Sequence, residues 1–241
     1  MRKYRIADLV VGIESRYERV YRQAEPYRID DGAEPDFCLT VPEDKIDLEM
    51  SQGLESRDDA EYVYMRFLFQ RRLIDFDGLV LHSSGVVCDG RAYLFSANSG
   101  TGKSTHTQLW IKRFGADRTF ILNDDAPALR RLDGRWFAYG APWSGSSPLN
   151  TPARAPLQGI AFLERSETNW TRQIGADEAI TLFMAQSMQP LRRAPLVRTI
   201  DKTIELLKEA PVFRVGCNMS EEAAQTTRDA MLAATPKQAA T

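Results

Sequence analysis

Apolar and polar positions along this chain change period several times, and the changes outline an α/β protein. Residues 3–13 read as a strand, with Ile6, Leu9, Val10, Val11 and Ile13 as its apolar side chains. A polar, mixed stretch covers residues 14–36, punctuated by Pro26 and Gly32. Residues 37–41 predict a short strand, residues 46–50 another, and residues 51–59 a loop. From residue 60 the period lengthens. Val63, Phe67 and Leu68, with Tyr62, Tyr64 and Phe69 beside them, predict a helix over 60–73 with a wide apolar face and Arg66, Arg71 and Arg72 as polar positions.

Beyond a turn at 75–78 come apolar runs at 79–83 and 86–88, then Asp89-Gly90, a strong hairpin signal, and a strand over 91–96. Residues 103–114 fit a helix that Gly115 stops. A strand over 119–122 runs into Asn123-Asp124-Asp125, and a second hairpin pairs 128–132 with 135–139 around Asp133-Gly134. Residues 140–156 carry Pro142, Pro148, Pro152 and Pro156 and predict a long irregular loop, a kind of segment that often carries function. The rest of the chain predicts a strand over 157–163, helices over 177–188 and 194–209, a strand over 213–217, and a helix over 220–234 with Ser220 as its N-cap. Pro236 is expected to stop that helix and leave a frayed tail. The division expected is an N-terminal extension over 1–75, a small sheet plus a helix, and a main domain over 76–241. The main domain is expected to be a mixed, antiparallel-rich sheet around one strand–loop–helix unit.

Composition narrows the classes. The 241 residues are 43% hydrophobic and 27% charged, with a formal net charge of −2. That is ordinary globular composition and no polyanion-binding surface, so nucleic acid is not an expected partner. Cys38, Cys88 and Cys217 are dispersed and odd in number, which supports neither a zinc site nor a disulfide framework. No stretch approaches the ~20 apolar residues of a membrane span. Residues 1–10 lack the apolar core of a signal peptide, so the cytoplasm is the expected compartment.

The chemistry concentrates at Ala97-Asn98-Ser99-Gly100-Thr101-Gly102-Lys103-Ser104, which matches A/G-x4-G-K-S/T. Glycines let successive N–H groups turn into one concavity, and a helix N-terminus behind them attracts phosphate. In that role Lys103 reaches the terminal phosphates and the Ser104 hydroxyl ligates Mg²⁺. The context agrees: a strand leads in, a helix leads out and a second strand comes after it. That second strand ends at Asp124-Asp125, 21 positions beyond Lys103. Carboxyl ends of strands line ligand crevices in open α/β sheets. One carboxylate there can hold a hydrated Mg²⁺ and a second can take a proton from a hydroxyl. His82 lies 21 positions before Lys103 and is a further candidate. His106 is expected to pack or face solvent, and Arg154 is a weak candidate for neutralising phosphate charge.

At these residues the sequence resembles the HPr kinase/phosphorylase family and, more distantly, the phosphoenolpyruvate carboxykinases, which share an unusual P-loop fold. Ser99 to Ser104 resembles the S-G-x-G-K-S/T of both. His82 sits where HPr kinases carry a histidine ahead of their loop. Asp124-Asp125 resembles the family's aspartate pair, implicated there in metal binding and proton transfer; which aspartate takes which role stays open. The resemblance spans roughly residues 79–165. It implies an ATP- and Mg²⁺-dependent kinase. Asn98, Ser99, Gly100, Thr101, Gly102, Lys103, Ser104 and Thr105 would hold the nucleotide, and Ser104 and Asp124 the metal. Lys103, His82, Asp124 and Asp125 would act in transfer. It also implies a homo-oligomer.

Two departures matter. HPr kinases place an acidic residue directly after the P-loop serine, where this chain has Thr105, and the glycine-rich signature linked to phosphorylase activity is not recognisable. The reverse reaction is therefore not expected. The acceptor is expected to be a hydroxyl of a protein, a peptide or a small molecule. Two other readings stand beside this one: a nucleotide-binding sensor or assembly protein without transfer, and a small-molecule enzyme related to the carboxykinases.

Overall fold

The structure, a computed structural model, describes residues 1–186 and 193–234, with only the backbone described for residues 193–195. The chain opens with a hairpin of β1 (Arg2–Ile6) and β2 (Leu9–Glu14). The continuous strand expected over 3–13 is broken because Ala7 and Asp8 both take positive φ, 53° and 59°. That is the backbone of a tight two-residue hairpin turn, made without the glycine or asparagine that usually announces it. Helix α1 (Glu18–Ala24) forms inside the polar stretch, and β3 (Phe37–Thr40) then adds parallel to β2. The strand expected over 46–50 is instead part of helix α2 (Glu43–Ser51). Pro42 precedes it, Glu43 and Asp44 occupy its first turn, and Ile46 is its one fully buried side chain among the described residues. These are start signals of a helix, and they outweigh a short apolar run.

Helix α3 (Arg57–Leu73) fulfils the helix expected over 60–73 and extends it to Arg57. Ser56 caps it, its hydroxyl accepting from the Asp59 amide at 3.1 Å while donating to the Asp59 carboxylate at 2.7 Å. The buried face differs from the one expected. Tyr62, Met65, Phe69 and Leu73 are buried, whereas Val63, Tyr64, Phe67 and Leu68 are only partly covered. Spacings of three and four place the former set in one stripe toward the core.

The large sheet begins with β4 (Gly78–Val80), β5 (Ser84–Cys88) and β6 (Arg91–Ser96). Helix α4 (Lys103–Phe114) then leads to β7 (Thr119–Asn123) and on to the hairpin of β8 (Ala128–Leu132) and β9 (Arg135–Tyr139). The long strand β10 (Arg154–Arg165) starts inside the expected loop, because its first residues pair antiparallel with β9. A short strand β11 (Trp170–Gln173), not foreseen from the sequence, pairs with β12 (Val212–Cys217). Further along its length β10 runs parallel to β6 on one side and to β12 on the other. Helices α5 (Ala176–Gln186) and α6 (Arg193–Glu209) and the final helix α7 (Glu221–Ala233) complete the described chain. Ser220 stands at the N-cap position of α7, but its hydroxyl donates to Asn218 Oδ1 at 2.6 Å instead of capping an amide. The expected continuation of α5 to residue 188 and the tail beyond residue 234 lie outside the described residues.

Three apolar clusters hold these elements. Trp110 of α4 and Met231 of α7 pack with Tyr93, Phe95 and Val215 on one face of the sheet. Phe183 of α5 and Leu206 of α6 pack with Leu94, Ile160 and Phe162 on the other. The third cluster joins β1–β3 and α3 to Val80, Ala126, Tyr139 and Trp143, with Phe69 stacked on Trp143 at 4.5 Å. It therefore contains residues from both sides of position 75.

Candidate active site

The sheet pairing gathers the candidate residues at one edge. β5 lies between β6 and β7 and is antiparallel to both. Its beginning therefore meets their ends: Ser84 sits opposite Phe95, and Gly85 opposite Asn123. His82 just before β5, the glycine-rich loop just after β6 and Asp124-Asp125 just after β7 must then share one rim. They do. His82, Ser99, Gly100, Gly102, Lys103, Ser104, Thr105, Asp124 and Asp125 all line one cavity of about 380 Å³, joined by residues 144–147. Asn98 and Thr101 are turned elsewhere, lining a separate cleft beside Leu163 and Gln186.

The loop has the shape its glycines permit. Gly100 and Gly102 have φ of +75° and +119°, a region costly for residues with a Cβ. Lys103 opens α4 and is largely buried, its ammonium donating to the Ala97 carbonyl at 3.0 Å. Burial pushes that ammonium's pKa down, and the charges of Asp125 and Asp124 only partly restore it. The first amides of a helix have no partner within it, which makes the start of α4 attractive to anions. Arg165 grips the loop from β10, donating from Nη2 to the Gly100 carbonyl at 2.6 Å.

The aspartates are fixed by their neighbours. Asn123 is fully buried, and its Oδ1 accepts from the amides of Asp125 at 2.9 Å and Ala126 at 2.7 Å. Its Nδ2 donates to the Ala141 carbonyl at 2.7 Å. Ser84 Oγ donates to Asp124 Oδ1 at 2.8 Å. Asp125 is held on both oxygens, with His82 Nε2 3.2 Å from Oδ1 and Arg66 Nη1 2.5 Å from Oδ2. Burial alone would raise the Asp125 pKa. The His82 hydrogen bond, with the charges of Arg66 and Lys103, outweighs it and holds the carboxyl below the usual range.

The N-terminal helices supply the far wall. The Gly145 carbonyl accepts from Arg19 Nη2 at 2.8 Å and Gln23 Nε2 at 3.1 Å, and its amide donates to the Tyr62 hydroxyl at 3.0 Å. Tyr62 in turn donates to Gln23 Oε1 at 2.9 Å. Burial lifts the Tyr62 pKa to about 12, so it remains a neutral hydroxyl able to play both parts. Gly145 itself has φ +70°, and a Cβ there would stand 3.2–3.4 Å from the Asp125 side chain.

Across the loop lies a second, less polar cavity of about 540 Å³. Gly100, Thr105 and Leu109 form one side, and Arg165, Cys217 and Met219 the other. His106 lies at its floor but is buried against Phe95, ring centroids 4.6 Å apart, and accepts from Trp110 Nε1 at 3.2 Å. It packs, as one of the two expectations held. Arg154 does not serve the site: it pairs with Asp8 at the opposite end of the 140–153 segment. It stands there because β10 begins at that residue, against β9.

Sequence reasoning missed Arg66, Ser84 and Arg165 as parts of this site, grouped Asn123 with the aspartates without giving it a role, and marked the 144–147 segment only within a longer loop. Nothing in the period of α3 sets Arg66 apart from a solvated arginine.

The donor set suits a nucleotide with Mg²⁺. Ser104 and Asp124 offer hard oxygen ligands, of the kind Mg²⁺ takes in ones and twos alongside phosphates and waters. Among the described residues no cluster of three or more His, Cys, Asp or Glu forms a metal site without a ligand's help. No helix among them is long and apolar enough to cross a membrane.

The chain matches no family model. No curated protein is similar to it in sequence. Among solved structures, the Hpr(Ser) kinase/phosphatase from Coxiella burnetii is similar at a TM-score of 0.37 and 11% identity, over 64% of this chain and 96% of that one. A likeness at that TM-score carries no conclusion about this chain's fold or site.

Proposed function

We propose that this protein is a Mg²⁺-dependent kinase that moves the γ-phosphoryl group of ATP to a hydroxyl of a protein, a peptide or a small molecule. The observation that carries this reading is the convergence on one cavity of the glycine-rich loop, Lys103, Ser104 and the aspartate pair. The amides of the loop and Lys103 hold the phosphates, and the less polar cavity across the loop suits the nucleoside. Ser104 and Asp124 would hold Mg²⁺, which when bound neutralises charge on the phosphates. Asp125 faces the same space and orients the acceptor hydroxyl or takes its proton. His82 holds Asp125 from one side. Transfer in such a site is mainly positioning and charge stabilisation.

The test is incubation with Mg²⁺ and γ-labelled ATP, alone and with candidate acceptors or extract, beside Lys103→Ala and Asp125→Asn. Label on an acceptor that disappears in Lys103→Ala and falls sharply, to a measurable remainder, in Asp125→Asn supports the reading. A second reading, nucleotide sensing without transfer, draws on the engagement of both Asp125 oxygens by His82 and Arg66. Tight ATP binding with neither transfer nor hydrolysis would select it.

A further inference from the structure

We propose that Arg66 is the residue that positions Asp125 for phosphoryl transfer, so that the N-terminal segment completes the active site. This inference rests on the kinase reading above.

Arg66 lies 59 positions before Asp125, on a helix that sequence alone places in a separate extension. Its guanidinium nevertheless ends 2.5 Å from Asp125 Oδ2, with both side chains about four-fifths buried. His82 stands against the other oxygen. A carboxylate held on both oxygens by groups on different elements has a fixed plane, which a group that orients a hydroxyl needs. Arg66 does not line the cavity itself. It stands behind Asp125 and acts through it.

The helix that delivers Arg66 is anchored as a positioning element should be. Glu61 on α3 is fully buried, and its carboxylate accepts from the Ser15 hydroxyl and from the amides of Arg16 at 3.0 Å and Tyr17 at 3.1 Å. Tyr62, one helical turn before Arg66, fixes Gly145, where an added Cβ would stand 3.2–3.4 Å from the Asp125 side chain. The same helix thus sets the carboxylate and the segment facing it. An exposed pair of this kind would contribute little; a largely buried one with a defined geometry constrains its partner.

A purely structural role for the pair, docking α3 onto the main domain, makes a different prediction, and a double-mutant cycle on kcat separates the two. Arg66→Ala is expected to lower kcat by about 10–100-fold, the range for loss of a residue that orients a catalytic group. KM for ATP is expected to change little. Arg66→Lys, which keeps the charge without the fork, recovers part of the loss. In an Asp125→Asn background Arg66→Ala is expected to have no further effect. Arg57→Ala, which loosens the start of α3 outside the cavity lining by removing contacts to Glu43, Asp47 and Tyr17, is the control and is expected to leave kcat unchanged. Multiplicative effects of Arg66→Ala and Asp125→Asn, an equal loss in Arg57→Ala, or a change confined to KM for ATP would overturn the assignment of Arg66 while leaving the kinase reading intact. A wild-type protein that binds ATP and transfers nothing overturns the kinase reading, and this inference with it.

Discussion

His106 offers a sharp test of how the helix behind the glycine-rich loop is packed. It is 2% exposed, with its ring edge-on to Phe95 and its Nε2 accepting from the Trp110 indole. Burial alone depresses its pKa from 6.5 to about 4. The folded protein therefore holds a neutral imidazole at pH 5, where the unfolded chain binds a proton at the same residue. Because the unfolded state binds more protons in this window, stability must fall as pH falls from about 6.5 toward about 4 and level off below. The full difference is worth about 3 kcal/mol, and about 2 kcal/mol of it is lost between pH 7 and pH 5. His106→Gln keeps an acceptor for Trp110 and removes the titration. Urea unfolding of both proteins at pH 7 and pH 5 gives the comparison, since other titrating groups cancel in the difference. The wild type is expected to lose about 2 kcal/mol more than the variant. An equal loss in the two proteins would refute the buried, neutral imidazole.

Three further predictions address the walls of the cavity. Glu61→Ala leaves the Arg16 and Tyr17 amides without their acceptor and the Ser15 hydroxyl with only the Tyr17 carbonyl; thermal unfolding is expected to show a loss of about 3 kcal/mol. Gly145→Ala forces a Cβ into a positive-φ position against Asp125, so phosphoryl transfer is expected to fall at least ~10-fold while ATP affinity, read by calorimetry, stays close to wild type. Arg165→Ala releases the Gly100 carbonyl and is expected to weaken ATP binding by about 5-fold, the equivalent of one lost hydrogen bond; unchanged affinity would show that the loop keeps its shape without that grip.

The parts of the fold that were legible in the sequence are those whose signals are local. Asp89-Gly90 and Asp133-Gly134 marked hairpins whose flanking strands appear where expected, because a tight turn needs positive φ and these residues supply it. Helix α4 runs from Lys103 to Phe114 as predicted, because a glycine stands at each end. The Ala7-Asp8 turn does the same work with residues that do not advertise it, so the hairpin looks like one strand in the sequence. Likewise β11 is too short and too polar to stand out; it exists because β12 offers an edge. At the site, the loop, the aspartates and His82 were legible as a motif and its spacing. Arg66, Arg165 and the role of Asn123 were not, because each matters through a partner distant in sequence or through backbone groups that any polar residue could contact.

The division of labour within the site stems from how the sheet is strung. β5 is antiparallel to its two neighbours and brings three chain segments to one rim with a single strand. That arrangement places the glycine-rich loop, Asp124 and His82, and it needs nothing from the first 75 residues. It leaves the Asp125 side of the cavity open. Arg19, Gln23 and Tyr62 hold Gly145 of the 140–153 segment over that side, and Arg66 meets the Asp125 oxygen that His82 leaves free. In the proposed kinase the phosphate half of the site thus belongs to the strand–loop–helix unit, and the half that would meet an acceptor is built jointly with the N-terminal helices. Phosphate binding is common chemistry that one motif can encode. Choice of acceptor is particular to a protein, and in the proposed kinase it would fall to the wall that the N-terminal helices build around Gly145 and Asp125.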